Sequence, residues 1–526
     1  MQTSPLQRWA PWLGAVGGGA IIPFSMAPYH IWPLALLGLF LIANSLKNTT
    51  PKQAILRAFA AGIGLFGAGV NWVFVAITQF GSSSIVLATL LTALFVLGLA
   101  IVFAVPFYIY GRGLSRSLLG QTLGFSALWV FGEWLRSWLL TGFPWLYSGY
   151  GFINTPLTGF APITGIFGVS FVACLSVCLL LAAQAAWQQY QDEFQPQKQA
   201  QRLRFWQQLS VLGMGAIMLW GGGALLQRVK WTTAKPHDIS IGLVQPNIPQ
   251  ERKWDPAYYQ SSLNILTELS QPLWDLNWVI WPEAAVPYPY HQAESILKDI
   301  DRHAKQSGAV FMSGIIFDDY ASLPDDAQFY RFEDMKFYNA IIARGFGNGE
   351  YFKQRLVPFG EYVPFEEQLR GLIAFFDLPT SIINIGPFNS DGLNANGVKV
   401  AAAICYEIVY PNLIAELTID KDVILTISND AWFGHSNGPL QHFDMARMRA
   451  IETGRYVVRS TNNGLSGFIK PNGQVANTGH RFTRETITGS VQRMSGLTPF
   501  MVWKSWPMVA ITLLIMICCV AIQKRY

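Results

Sequence analysis

Charge is scarce in this sequence. Of its 526 residues only 13% are Asp, Glu, Lys or Arg, against about 25% in an ordinary soluble domain. Outside residues 231–500 the acidic side chains almost vanish, with 3 Asp and Glu against 15 Lys and Arg; inside it there are 29 acidic against 22 basic. The net charge of +5 therefore comes from basic loops between apolar runs. That is a membrane-orientation signal rather than a nucleic-acid footprint, and no nucleic-acid partner is expected. Cysteine is rare too. Cys174, Cys178, Cys518 and Cys519 lie in apolar runs, and Cys405 stands alone in the polar region, which excludes a disulfide scaffold. Seven histidines include no closely spaced pair, and no Walker loop occurs, so the chain carries no local motif for a metal or a nucleotide cofactor.

Apolar residues are abundant, at 51%. Seven apolar stretches lie near 11–28, 31–46, 55–79, 85–110, 119–140, 162–187 and 206–226, and an eighth near 506–522. A spanning helix needs about 20 mostly apolar residues. Pro23, Pro28 and Pro33 interrupt the first two stretches, which leaves a re-entrant pair open, although spanning is the expectation. The first stretch reads as an uncleaved anchor. Lys47, Lys52, Arg57, Arg112, Arg116, Lys198, Arg202, Arg204, Lys524 and Arg525 fall on alternate connections. The positive-inside rule then predicts cytoplasmic N- and C-termini and places 231–500 on the outer face. The expected domains are a seven-span membrane domain over 1–230, a polar domain over 231–500 and a C-terminal span within 501–526. Glu133 and Arg136, one helical turn apart in the fifth stretch, are a functional hint, a structural pair or a head-group contact.

The polar region alternates short apolar strands with helical spacing. Strands are predicted at 239–244, 278–281, 309–317, 337–343, 398–404, 423–427 and 456–459, and helices at 256–270, 291–306, 409–418 and 438–453. This is the pattern of a layered α/β domain.

Three local signals carry chemistry. The strand Val398–Ile404 runs into Cys405-Tyr406-Glu407, a strand-to-helix turn with a thiol at its tip. Helix-start amides there can stabilise a thiolate and an oxyanion, although a buried structural cysteine is an equal reading of the residue alone. Glu283 follows the strand Trp278–Trp281. At such a strand end a carboxylate in apolar surroundings can serve as general base, while taken alone a capping or salt-bridging Glu is the plainer reading. Lys353 opens an irregular Pro- and Gly-containing loop that reaches Glu361, and taken alone it reads as a surface lysine.

Together these residues resemble the nitrilase superfamily, whose members place a Glu–Lys–Cys triad on an αββα sandwich; Glu283, Lys353 and Cys405 match in order. With the apolar spans, with Val244-Gln245-Pro246-Asn247-Ile248-Pro249-Gln250 and Trp254, and with Ser428-Asn429-Asp430-Ala431-Trp432-Phe433-Gly434, the whole chain resembles the apolipoprotein N-acyltransferases. The resemblance implies a bacterial inner-membrane enzyme with about eight spans and a periplasmic catalytic domain. It implies that Cys405 takes an acyl chain from a phospholipid, such as the sn-1 chain of phosphatidylethanolamine, and passes it as a thioester to the N-terminal amine of a diacylglyceryl apolipoprotein. Glu283 would act as base, Lys353 as oxyanion stabiliser and Glu361 as the partner that holds the lysine. Tyr406 and Glu407 would support the turn. Trp254 and Trp432, and Phe375 and Phe376 in the apolar run 369–379, are candidates for lining the lipid route. Rival readings are a membrane-tethered amidase with the same triad, a transporter or receptor with an outer domain, and a Cys–His hydrolase using His435 or His442 as base.

Overall fold

The computed structural model describes residues 5–81, 83–192, 199–319, 335–363, 367, 383–388 and 392–523. They form two compact units. One comprises residues 1–71, 89–230 and 503–526, the other 72–88 and 231–502.

The first unit is helical. Among the described residues three helices are long and apolar enough to cross a membrane, over Ile85–Gly113, Pro156–Gln191 and Gln201–Leu226. The pair Pro51–Gly69 and Asn71–Phe80 makes a fourth if counted as one bent span. Pro33–Ser45 and Trp506–Ile522 are shorter apolar helices. Local chemistry sets several ends. Thr50 and Gln53 form a reciprocal capping box, with Pro51 as the first helical residue, which satisfies amides that the helix start would leave bare. Close packing then follows from small side chains: a Cβ at Gly64 would stand 2.1 Å from the Val16 carbonyl oxygen, so only glycine lets those two helices meet there. Glu133 and Arg136 are buried and tie their helix, Phe125–Arg136, to the segment 143–148. Glu133 Oε1 accepts from Ser148 N at 2.7 Å and Trp129 Nε1 at 3.0 Å. Arg136 donates to the carbonyls of Phe143 and Trp145 and lies 5.1 Å from the rings of both Phe66 and Tyr147.

The second unit is an α/β sandwich. Its strands are β1 (Thr233–Gln245), β2 (Trp278–Ile280), β3 (Val310–Asp318), β4 (Phe337–Gly345), β5 (Gly347–Asn348), β6 (Glu350–Phe352), β7 (Leu393–Ala395), β8 (Val398–Ile404), β9 (Val423–Ser428), β10 (Val457–Thr461), β11 (Gly467–Ile469), β12 (Val475–Thr478) and β13 (Glu485–Ser495). One sheet has the order β13-β1-β2-β3-β4-β6, the other β12-β11-β10-β9-β8-β7-β5. The sheets face each other, with β1 against β10, β4 against β8 and β13 against β9. Helices Tyr259–Ser270 and Glu294–Ser307 cover the first sheet, and Pro411–Leu417 and Gly438–Thr453 the second. This is the expected αββα arrangement. Each sheet has a parallel heart, β1-β2-β3 and β8-β9-β10. Strands buried on both faces read as continuous apolar runs, which is why Trp278–Ile280 and Val423–Ser428 were legible.

The expected strands and helices are present with small shifts of boundary. The sequence reading missed β5, β6, β7, β11, β12 and β13, strands that are too short or too polar to show an apolar run of their own. It also did not anticipate that residues 72–88 join the second unit. There the ring of Trp72 meets Phe433 at 5.0 Å and that of Phe80 meets Trp432 at 5.3 Å.

Candidate active site

The carboxyl ends of the parallel strands gather the polar side chains, as expected for open α/β sheets. Glu283 stands three residues beyond β2, in a turn that places Ala284 at φ 44°. The turn lies hard against β3: a Cβ on Gly314 would meet Ala284 N at 2.5 Å. Glycine at 314 is therefore what lets the Glu283 backbone approach the sheet. The Glu283 carboxylate is buried. Its Oε1 accepts from Asn339 Nδ2 at 2.8 Å and its Oε2 from the Asn429 main-chain N at 2.7 Å. The Glu283 carbonyl oxygen accepts from Lys253 Nζ at 2.8 Å.

Lys353 follows β6 directly and is 1% exposed, so the surface reading fails for it. Its Nζ donates to Glu361 Oε1 at 2.8 Å and lies 3.7 Å from Glu283 Oε1. Burial alone pulls the Lys353 pKa down, but Glu361, Glu283 and Cys405 more than offset this and raise it above the ordinary lysine value. The lysine stays an ammonium. Asn339, on β4, also donates to Glu361 Oε1 at 3.1 Å, so one amide and one ammonium bridge the same two carboxylates. Glu361 Oε2 accepts from Val357 N at 2.8 Å and closes the loop that begins at Lys353.

Cys405 occupies the tip of β8 with φ 52°, a left-handed conformation that costs a non-glycine residue free energy and is common at functional turns. Burial pushes its thiol up to about 12; Glu283 adds to the rise and Lys353 opposes it. The thiol therefore feels both charged members of the expected triad. Glu407, two residues on, is fully buried. Its Oε2 accepts from Ile404 N at 2.7 Å, and its Oε1 accepts from Gln354 N at 2.6 Å and Arg355 N at 3.1 Å. Tyr351 Oη donates to it at 3.0 Å. One carboxylate thus binds the thiol turn to the lysine loop. Burial raises Glu407 to about 7, against the pull of these donors and Lys353. The ring of Tyr406 packs edge-on to Tyr410.

Sequence reasoning missed four contributors. Asn339 was hidden in an apolar strand, where one polar residue amid Tyr338-Asn339-Ala340-Ile341 was the available signal. The second is the Asn429 main-chain amide, which no side-chain pattern reveals. The third is Lys253, buried and lowered to about 8, chiefly by desolvation against the raising fields of Glu283 and Cys405. The fourth is Asp430, whose Oδ1 accepts from Ser428 Oγ at 2.7 Å; its carboxyl is held well below the ordinary value, Arg459 and His442 overcoming burial. Among the lipid-contact candidates, Trp254 is half-buried beside Lys253, whose Nζ is 5.8 Å from its ring, and Trp432 is half-buried against Phe80. Phe375 and Phe376 lie outside the described residues. The Cys–His reading is not supported: His442 Nε2 meets the Cys405 carbonyl oxygen at 3.0 Å, and exposed His435 lies tilted against the Phe482 ring. Among the described residues no cluster of His, Cys, Asp and Glu could hold a metal ion.

Comparison with known proteins decides the family. The family model "Apolipoprotein N-acyltransferase N-terminal domain" matches residues 18–179, and "Carbon-nitrogen hydrolase" matches 240–497. The apolipoprotein N-acyltransferase of Azotobacter vinelandii is 40% identical over 97% of this chain and 94% of its own length. The chain belongs to the apolipoprotein N-acyltransferase family. The relative of the same name from Pseudomonas syringae pv. tomato is 38% identical over 96% of each chain, and that of Methylococcus capsulatus 35% over 97% of this chain and 96% of its own. As a member of that family this protein is an acyltransferase of lipoprotein biosynthesis, with a nitrilase-type domain and an apolar helical unit.

Proposed function

We propose that Cys405 carries the acyl chain between a phospholipid and the N-terminal amine of a diacylglyceryl apolipoprotein, with Glu283 as the base and Lys353 as the oxyanion cation. The single observation behind this assignment is the hydrogen-bonded set Glu283–Asn339–Glu361–Lys353, whose charges bear on a thiol held at a strand-tip turn. A thiol raised to about 12 is thiolate in only about one molecule in 10⁵ at pH 7. The proton must then leave as the sulfur attacks, and Glu283 receives it while the new S–C bond forms. Negative charge collects on the former carbonyl oxygen of the ester, where Lys353 and the Tyr406 N–H stabilise it. As the tetrahedral species collapses, Glu283 returns the proton to the departing lysophospholipid oxygen. The acceptor amine then attacks the thioester, Glu283 takes the amine proton, and as the C–S bond breaks Glu283 hands that proton to the sulfur, so that Cys405 leaves as a thiol. Phosphatidylethanolamine is the donor in this reading, and no metal or cofactor takes part.

The eight apolar stretches span the bacterial inner membrane in this reading, with both termini cytoplasmic and the αββα domain periplasmic; alternation of the basic loops supports it. Trp254 and Trp432 line the lipid route in this reading. The test is acyl-enzyme trapping. Purified full-length protein incubated with phosphatidylethanolamine, without acceptor, should carry one fatty acyl group released by neutral hydroxylamine, and a Cys405→Ala protein none. Transfer of that group to water in preference to a lipopeptide amine would instead make the protein an amidase-like hydrolase.

A further inference from the structure

The backbone of Cys405 is held from behind by a buried polar set that the triad does not use. His442, on the helix Gly438–Thr453, is 1% exposed. Its Nε2 lies 3.0 Å from the Cys405 carbonyl oxygen. A carbonyl only accepts, so Nε2 carries the proton. Its Nδ1 lies 3.0 Å from Arg459 Nη2, a group that only donates, so Nδ1 is the bare nitrogen. Asp430 Oδ1, 3.4 Å from Nδ1, is already engaged by Ser428 Oγ at 2.7 Å and Arg459 Nη2 at 3.1 Å. Burial and the Arg459 charge lower the imidazole's pKa, with Asp430 opposing, which keeps the ring neutral. Three consecutive residues at the end of β9 thereby divide the work. Ser428 hydrogen-bonds the Cys405 thiol, Asn429 N–H holds Glu283, and Asp430 sits beside His442.

The geometry has a consequence for the peptide that follows the nucleophile. The Cys405 carbonyl and the Tyr406 N–H share one planar trans unit and point in opposite directions. A bond that fixes the oxygen on His442 therefore fixes the N–H on the other side. The same bond draws electron density toward the oxygen, which makes the N–H a stronger donor. It also steadies a residue in a left-handed conformation that would otherwise relax.

We propose that His442 is a positioning residue for acyl transfer: its Nε2–H orients and polarises the Cys405–Tyr406 peptide, whose N–H stabilises the oxyanion. The inference rests on the acyl-transfer reading above and assigns His442 no proton transfer and no contact with substrate.

The test separates two reactions of the same sulfur in the full-length protein. Acylation by p-nitrophenyl butyrate passes through an oxyanion; alkylation by iodoacetamide displaces iodide and does not. His442→Phe keeps a ring but removes the donor. It should slow p-nitrophenolate release by about tenfold, a part of the 10²–10³ that a whole oxyanion donor supplies, and leave the alkylation rate unchanged. His442→Gln keeps an N–H donor and should recover most of the acylation rate. If His442→Phe does not fold, His442→Met supplies a donor-free side chain that adapts to irregular space. Equal slowing of both reactions shows a merely structural histidine and overturns the proposal, as does unchanged acylation in the donor-free variant or a glutamine variant no faster than it. A wild-type protein that is alkylated at Cys405 but never acylated there overturns the acyl-transfer reading itself, a result distinct from a failure of His442 alone.

Discussion

Replacing Lys353 by methionine tests the charge balance at the centre of the site. The ammonium lies 2.8 Å from Glu361 Oε1 and 3.7 Å from Glu283 Oε1. At an effective dielectric constant near 20 these separations correspond to roughly 6 and 4 kcal/mol of attraction before desolvation is counted. Desolvating the lysine offsets much of that, and breaking a buried pair from one side typically costs about 3–5 kcal/mol. Without the cation, two buried carboxylates bridged by Asn339 face each other uncompensated, so Lys353→Met should be less stable than the unsubstituted protein by about that amount. Its acylation also loses the oxyanion partner, and a fall of at least about 10²-fold is expected. Rapid-quench mass spectrometry of the intact protein with phosphatidylethanolamine reads the rate directly. A methionine variant that acylates within about tenfold of the parent would refute the reasoning, because no step could then depend on a cation at this position.

Further outcomes follow from the same contacts. Asn339→Leu removes the donor shared by Glu283 and Glu361 at 2.8 and 3.1 Å; acylation should fall about 10–100-fold in single-turnover measurements, since the base loses its orientation while all charges remain. Glu407, raised to about 7 from an ordinary 4.5, keeps its proton in the folded state after the unfolded chain has lost it. Stability should therefore decline by about 3 kcal/mol between pH 4.5 and 7 on this account, and Glu407→Gln should flatten that part of the melting-temperature profile, as differential scanning fluorimetry can show. Glu283→Gln keeps the shape of the base but cannot take a proton, so the hydroxylamine-labile adduct should disappear while the melting temperature stays near the parent value. For orientation, a cysteine placed at Asn472 should react with an impermeant maleimide in intact spheroplasts and one at Arg204 should not; the reverse pattern would invert the proposed topology.

The sequence alone determined the parts of this protein that depend on short-range pattern. Long apolar runs with sparse charge identify membrane segments because burial in hydrocarbon depends on composition over about 20 residues. The parallel strands showed themselves as continuous apolar runs; Glu283 and Cys405 were visible because each stands just beyond such a run, where the chain leaves the sheet, and Lys353 by its loop to Glu361 and its place in the family order. Tertiary structure decided whether those residues form a chemical unit. Lys353 reads from its neighbours as a surface lysine, yet it is buried against Glu361. Asn339 reaches Glu283 across 56 positions, the Asn429 amide across 146, and His442 reaches the Cys405 carbonyl across 37. The protonation state of an ionisable group follows from its desolvation and from the charges a few ångströms away. Both are distances in space between segments far apart along the chain, and they are fixed only when the two sheets close on each other.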